Sequence, residues 1–170
     1  QLPAAPYSYY QFGQAGWTAW QKAWKDGKLS KPFGEIWETP QPVERLFDLS
    51  ADPLELQNLA GNPAHAERLA SMRARLKVEM IRTVDTGIIP EPMFDEIAPG
   101  KPIASYLDSR KEDLPALVSL AFTASAAHEK DLPQFVAGLG SEDPVTRYWA
   151  IQGCLNLGKS ASKTTASLVA

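Results

Sequence analysis

Cysteine occurs once in the 170 residues, at Cys154. No internal disulfide can form, and no cysteine-based zinc site can be assembled. Histidine occurs twice, at His65 and His128, too far apart in sequence to match a metal-ligand spacing. Positive charge is not in excess: 17 Lys and Arg stand against 20 Asp and Glu, a net charge of −3. With a pI near 5.4, the chain has no electrostatic footprint for nucleic acid. No apolar run approaches the roughly 18 residues that would cross a bilayer. There is no G-x-S-x-G, no H-E-x-x-H, no phosphate-binding glycine loop and no calcium-binding Asp/Asn loop. The first residue is Gln1, with no basic stretch and apolar core of a signal peptide after it, and we read the chain as a piece of a longer one.

What is present is ordinary globular composition, 44% hydrophobic and 22% charged. Residues 1–12, with Tyr7, Tyr9 and Tyr10 between prolines, read as an extended stretch. From Gln14 to Asp26 the period becomes helical: Trp17, Trp20 and Trp24 fall at i, i+3 and i+7, and Gly27 supplies the stop. Residues 29–43 hold four breakers and read as a loop. Residues 44–50 predict a short strand, ended by Asp52 as an N-cap and Pro53 at the first position of a helical turn, with Glu55 at capping-box spacing. Asn62 and Pro63 repeat the device ahead of a helix running to about Arg82. Ala66, Leu69, Met72 or Arg73, Leu76 and Met80 mark one face of it, and Arg68, Arg75, Lys77 and Glu79 the other. Residues 85–105 are rich in Gly and Pro and predict a domain boundary nearby. Beyond 112 come three Ala/Leu-rich helical stretches with short acidic or Pro-bearing turns, then a fourth that stops at Ala170. That recurrence suggests a helical repeat.

Each chemistry-bearing residue has a structural explanation. Cys154 lies among apolar neighbours that raise a thiol pKa, as for an inert core cysteine. His65 and His128 sit at helix ends, where a surface role suffices. Asp48, Asp52 and Glu55 could suggest a metal cluster, but turn and cap chemistry accounts for their spacing. Trp17, Trp20, Trp24 and Trp37 could form a sugar-stacking platform, although the helical spacing of the first three fits a buried stripe better.

Two stretches resemble known families. ERLFDLSADPLELQNLAGNPAHAERLASMRARL, through Glu44, Leu46, Phe47, Asp48, Leu49, Asp52, Pro53, Glu55, Asn58, Leu59 and Ala60, resembles the C-terminal subdomain of bacterial formylglycine-dependent sulfatases. Phe47 stands where that family usually has Tyr. The flanking residues from Tyr7 to Phe94 agree with one branch of the family. LPQFVAGLGSEDPVTRYWAIQGCLNLG resembles a HEAT-type repeat, with Asp143 and Pro144 opening a helix that carries Arg147. Ala150, Leu155 and Leu157 would face the stack, and Gly158 would end the helix.

These resemblances imply a mainly α chain with a small β component: an α+β sulfatase subdomain over 1–95, a linker over 96–112 and a HEAT-like segment over 113–170. Its partners would be the remainder of the sulfatase domain and a protein bound by the repeat, with Arg147, Tyr148 and Trp149 as a candidate surface. The parent would hydrolyse sulfate esters of sulfated carbohydrates with formylglycine and calcium. Neither group's residues are in this chain, so no catalytic or metal residue is assigned, no cofactor is expected in it, and the chain alone is predicted inactive. The family suggests a periplasmic or secreted location. The alternatives are a non-catalytic interaction module built on the repeat, and a carbohydrate-binding module using the tryptophans.

Overall fold

The computed structural model describes residues 9–31, 33–38 and 40–164, with the side chains of 163 and 164 excepted. It is mainly helical, and no strand occurs among the described residues. The chain divides into two compact units, Gln1–Ala60 and Gly61–Ala170.

The first unit is built on aromatic packing. A single turn, α1 (Tyr9–Phe12), precedes α2 (Ala15–Lys25). The extended reading of residues 1–12 is therefore corrected at Tyr9 and Tyr10, where Gly13 N donates to Tyr9 O in a helical bond of 2.9 Å. Tyr7 lies outside the described residues. Helix α2 ends as its sequence predicts. Gly27 takes φ +67°, a left-handed conformation that costs glycine nothing, and its N–H closes on Trp24 O at 2.9 Å. Trp17, Trp20 and Trp24 project from α2 onto Trp37, which lies in a short 3₁₀ turn, Glu35–Trp37, and is 6% exposed. The Trp20 indole N–H donates to Phe33 O at 2.8 Å.

The second unit begins with Asn62, whose side chain accepts from Ala64 N at 3.0 Å, and a 3₁₀ turn, Pro63–His65, leading into α3 (Ala66–Thr83). Two short helices follow, α4 (Phe94–Ile97) and α5 (Ala104–Asp108). The three Ala/Leu-rich stretches become α6 (Leu114–Ala126), α7 (Leu132–Leu139) and α8 (Pro144–Leu157). Helix α8 packs on both α6 and α7, and α3 packs on α6. One cluster joins Ile88, Ile89, Leu107, Leu114, Leu117, Val118 and Val145, with Met80 and Ile81 of α3 against it. A second gathers Leu120, Ala124, Phe135, Cys154 and Ala161. Trp149 touches both clusters, and its indole N–H reaches Ile88 O at 2.8 Å. The Gly/Pro-rich residues 85–105 thus contribute Ile88 and Ile89, each 3% exposed, to the core.

Two burial expectations are corrected. Leu76 is 54% exposed and Leu155 59% exposed, each on the outward side of its helix. Periodicity selects a face but not how wide a strip the neighbouring helices cover. Ala150, 0% exposed, and half-buried Leu157 do face inward, and Gly158 ends α8 with φ +57°.

A polar network joins the start of α8 to α5. Asp143, whose side chain is 7% exposed, caps α8 by accepting from Thr146 N at 2.8 Å and from Thr146 Oγ1 at 2.6 Å. It also accepts from the Tyr106 hydroxyl and pairs with Arg110. Burial alone would raise the Asp143 pKa. The bonds from Thr146 and Tyr106 and the Arg110 charge outweigh burial and hold it below the ordinary carboxylate range. Tyr106 is pushed up to about 12, by burial first and then by its bond to the carboxylate. Because the folded-state pKa of Asp143 is depressed, its stabilisation is present above the unfolded carboxylate pKa of about 4 and is lost as pH falls through the folded value. Asp143→Asn keeps a capping oxygen but drops the charge, so denaturation midpoints should fall less between pH 7 and pH 3 than in wild type. Parallel pH curves for the two proteins would refute this role.

Candidate functional site

The motif residues 44–60 form a loop that hydrogen-bonds to itself. Asn58 is the clamp: its Nδ2 donates to Glu44 O at 3.2 Å, and its Oδ1 accepts from Leu46 N and Ala60 N, both at 3.0 Å. Leu59 N adds a bond to Leu46 O at 2.8 Å. Leu46 is 8% exposed and Phe47 half-buried. Residues 44–50 therefore cross residues 58–60 through one backbone bond and one side-chain clamp, without forming a strand.

The two aspartates serve the backbone. Asp48 Oδ1 accepts from Ser50 N at 3.0 Å and Ser50 Oγ at 2.6 Å. Asp52 accepts from Leu56 N at 3.0 Å and Gln57 N at 2.8 Å. This corrects the expected helix cap. The bonds reach four and five residues ahead, and no helix follows Pro53. Glu55 sits at φ +54°, where a non-glycine residue turns the chain back instead of continuing a helix. Asp52 does bond backbone N–H groups, as an N-cap does, but those of Leu56 and Gln57 rather than the first turn of a helix.

Carboxylates occupied in this way make a poor ligand set, and no group of three or more His, Cys, Asp or Glu that could hold a metal occurs among the described residues. The loop holds the chain in shape and presents Leu49, Leu54 and Leu56 outward, at 59%, 74% and 49% exposure. Asn58→Ala removes three hydrogen bonds at once, leaving two backbone N–H groups to water. It should cost about 1–3 kcal/mol, since most of the loss falls on partners left unmade. A change under 0.5 kcal/mol in urea titration would show that the clamp is redundant.

The aromatic group of the first unit is closed on itself. Trp17 meets Trp20 edge-on at 5.4 Å and 90°, and meets Trp37 at 5.2 Å and 62°. Trp20 and Trp37 lie 5.5 Å apart at 81°. Trp24 stacks on Trp37 at 6.3 Å, and Phe12 packs edge-on against Trp17. Trp37 is buried at the centre, while Trp17, Trp20 and Trp24 are half-buried around it rather than forming the fully buried stripe expected, and their rings pack mainly against one another.

In the second unit, Arg147 Nη1 donates to Ser141 O at 2.7 Å and Glu142 O at 2.9 Å, tying down the turn before α8. Tyr148 and Trp149 lie edge-to-face at 5.3 Å, and all three residues are half-buried. Cys154 is 4% exposed, and burial pushes its thiol pKa up. His65 is half-buried and His128 exposed. Asn58 and Arg147 both act as clamps on the backbone, Asn58 through two N–H groups and one carbonyl and Arg147 through two carbonyls, a role that residue type alone does not announce.

No helix among the described residues is long and apolar enough to cross a membrane. No described protein family's pattern matches the chain, and no solved structure matches it. Among curated proteins, a stretch of 66 residues, 39% of this chain, is 35% identical to an ulvan-active sulfatase of Formosa agariphila. That stretch covers 11% of the relative's length, so the match spans only a small part of a much longer sulfatase.

Proposed function

We propose that this chain is the C-terminal, non-catalytic part of a sulfatase that hydrolyses sulfate esters, with sulfated carbohydrates as the substrate class. The observation that carries this reading is the 35% identity over 66 residues with the ulvan-active sulfatase. The motif loop supports it in a structural role, because its aspartates and Asn58 are committed to backbone bonds. In this reading the formylglycine and calcium lie outside the chain, and residues 44–50 would add a strand to a sheet supplied by the rest of the enzyme. Residues 1–95 are assigned to the subdomain by descent, residues 96–112 to its connection and residues 113–170 to a HEAT-like repeat that could bind a protein partner. A periplasmic or secreted location follows from the same reading.

The test is peptide mapping of the native protein that contains this segment. The expected result is a large preceding domain with a C-x-P-S-R-type or S-x-P-S-R-type peptide in which the Cys or Ser is converted to formylglycine. A native protein without such a peptide would overturn the reading and leave the helices as a binding module.

A further inference from the structure

Helix α3 carries five basic side chains, Arg68, Arg73, Arg75, Lys77 and Arg82, against two acidic ones, Glu67 and Glu79. This basic bias belongs to a chain whose net charge is −3. Its distribution around the helix is uneven. Arg68, Arg75 and Arg82 are spaced seven residues apart, so at about 1.5 Å rise per residue they recur every ~10.5 Å along the axis. A seven-residue step turns a helix by two turns less about 20°, so the three guanidinium groups form a nearly straight stripe about 21 Å long. All three are exposed. The opposite side of α3 faces α6, where Met80 and Ile81 join the core and Lys77 lies 4.8 Å over the Phe122 ring. Within its own unit the stripe therefore points away from the packed side. Met72 and Leu76, 50% and 54% exposed, run beside it as apolar flanks.

We propose that this face of α3 is a docking surface for an extended sulfated polysaccharide. The class of partner rests on the sulfatase reading above; the stripe itself rests on the spacing and exposure of Arg68, Arg75 and Arg82. A guanidinium presents a planar fork of donors that matches two oxygens of a tetrahedral anion, and it stays charged at every relevant pH. Three of them in line suit a linear polymer with anionic groups along its length better than a single small anion. The apolar flanks give the carbon faces of sugar rings something to lie on. An aromatic side chain for stacking bases is missing from α3, which distinguishes this stripe from a single-stranded nucleic-acid track.

Glu79 sets the sign of a further effect. It sits on the stripe between Arg75 and Arg82 and binds Arg82 through two hydrogen bonds, at 2.9 and 2.8 Å. It neutralises part of the stripe and competes with an incoming anion for Arg82.

The experiment is a titration of the full chain with dextran sulfate, with unsulfated dextran and a single-stranded oligodeoxyadenylate as the other arms, each at several salt concentrations. Wild type should bind dextran sulfate and not dextran. The triple variant Arg68→Gln, Arg75→Gln, Arg82→Gln should lower the slope of log affinity against log salt by about 2, the loss expected for three ionic contacts. Glutamine is a good helix former, and an unchanged circular-dichroism melt verifies that α3 is intact. Glu79→Gln should move the other way, raising affinity at low salt. A triple variant with the wild-type slope, or an oligodeoxyadenylate bound as tightly as dextran sulfate, would overturn the proposal. This readout does not involve formylglycine, so its failure and the failure of the sulfatase reading are seen in separate experiments.

Discussion

Phe135→Ala should lower the stability of the second unit by about 3–5 kcal/mol, the range for emptying a fully buried aromatic site. Phe135 is 0% exposed and is the largest side chain among those buried below 2%. It packs with Leu120, Ala124, Cys154 and Ala161, with Leu132 and Leu157 at the margin. Its ring lies against the backbone of α8 at Gly153, where an added Cβ would fall 2.7 Å from three ring atoms. The fit has two consequences. The cavity left by alanine is walled by a rigid helix backbone, so collapse is limited and the cost stays near the upper part of the range. Filling from the other side is also penalised: Gly153→Ala should cost about 1–3 kcal/mol through overpacking. Urea denaturation followed by circular dichroism reads both. A loss below 1 kcal/mol for Phe135→Ala would mean that α7 is not held to α8 through this ring.

Trp37→Ala should be the most damaging single change in the first unit, again by about 3–5 kcal/mol. Trp37 touches Trp17, Trp20 and Trp24, as well as Phe12, so its removal takes a shared partner from four rings. Trp37 and Leu46 are the only side chains of this unit in the buried hydrophobic core among the described residues, so little else can compensate. Trp37→Phe should cost much less. It keeps a ring in place and removes the buried Trp37 indole N–H, which has no hydrogen-bond partner. Four of the five tryptophans lie in this unit, so fluorescence reports its unfolding directly: the Trp37→Ala emission should be red-shifted under native conditions. Emission and stability close to wild type would mean that the rings form an exposed platform after all.

The two sites were unequally legible in the sequence. The tryptophan stripe at i, i+3 and i+7 identified α2 and its packed face. Trp37, 13 residues beyond Trp24 in a breaker-rich loop, had no period to betray it as the ring on which the others converge. Asn62-Pro63 and Asp143-Pro144 announced their helix starts, because a capping side chain and a preset proline φ act within four residues. Asp52-Pro53 carried the same signature and yielded a loop. There, the Asn58 clamp and the left-handed Glu55 turn the chain back before a helix can nucleate, and the costly first turn is never closed.

Composition and local pattern, by themselves, determined the helical character of residues 114–157 and the stops at Gly27 and Gly158. These follow from φ preferences, capping and side-chain period, which depend on near neighbours in the chain. Tertiary structure alone decided that Ile88 and Ile89 belong to the core built by α6 and α8, that Trp149 bridges two clusters, and that Leu76 and Leu155 stay at the surface. Tertiary structure likewise leaves the Arg68, Arg75 and Arg82 stripe uncovered within its unit. Burial depends on which elements meet across tens of residues of chain, and the hydrophobic effect that drives their meeting is non-directional. A face can be apolar by pattern yet half-exposed because no neighbour extends far enough to cover it.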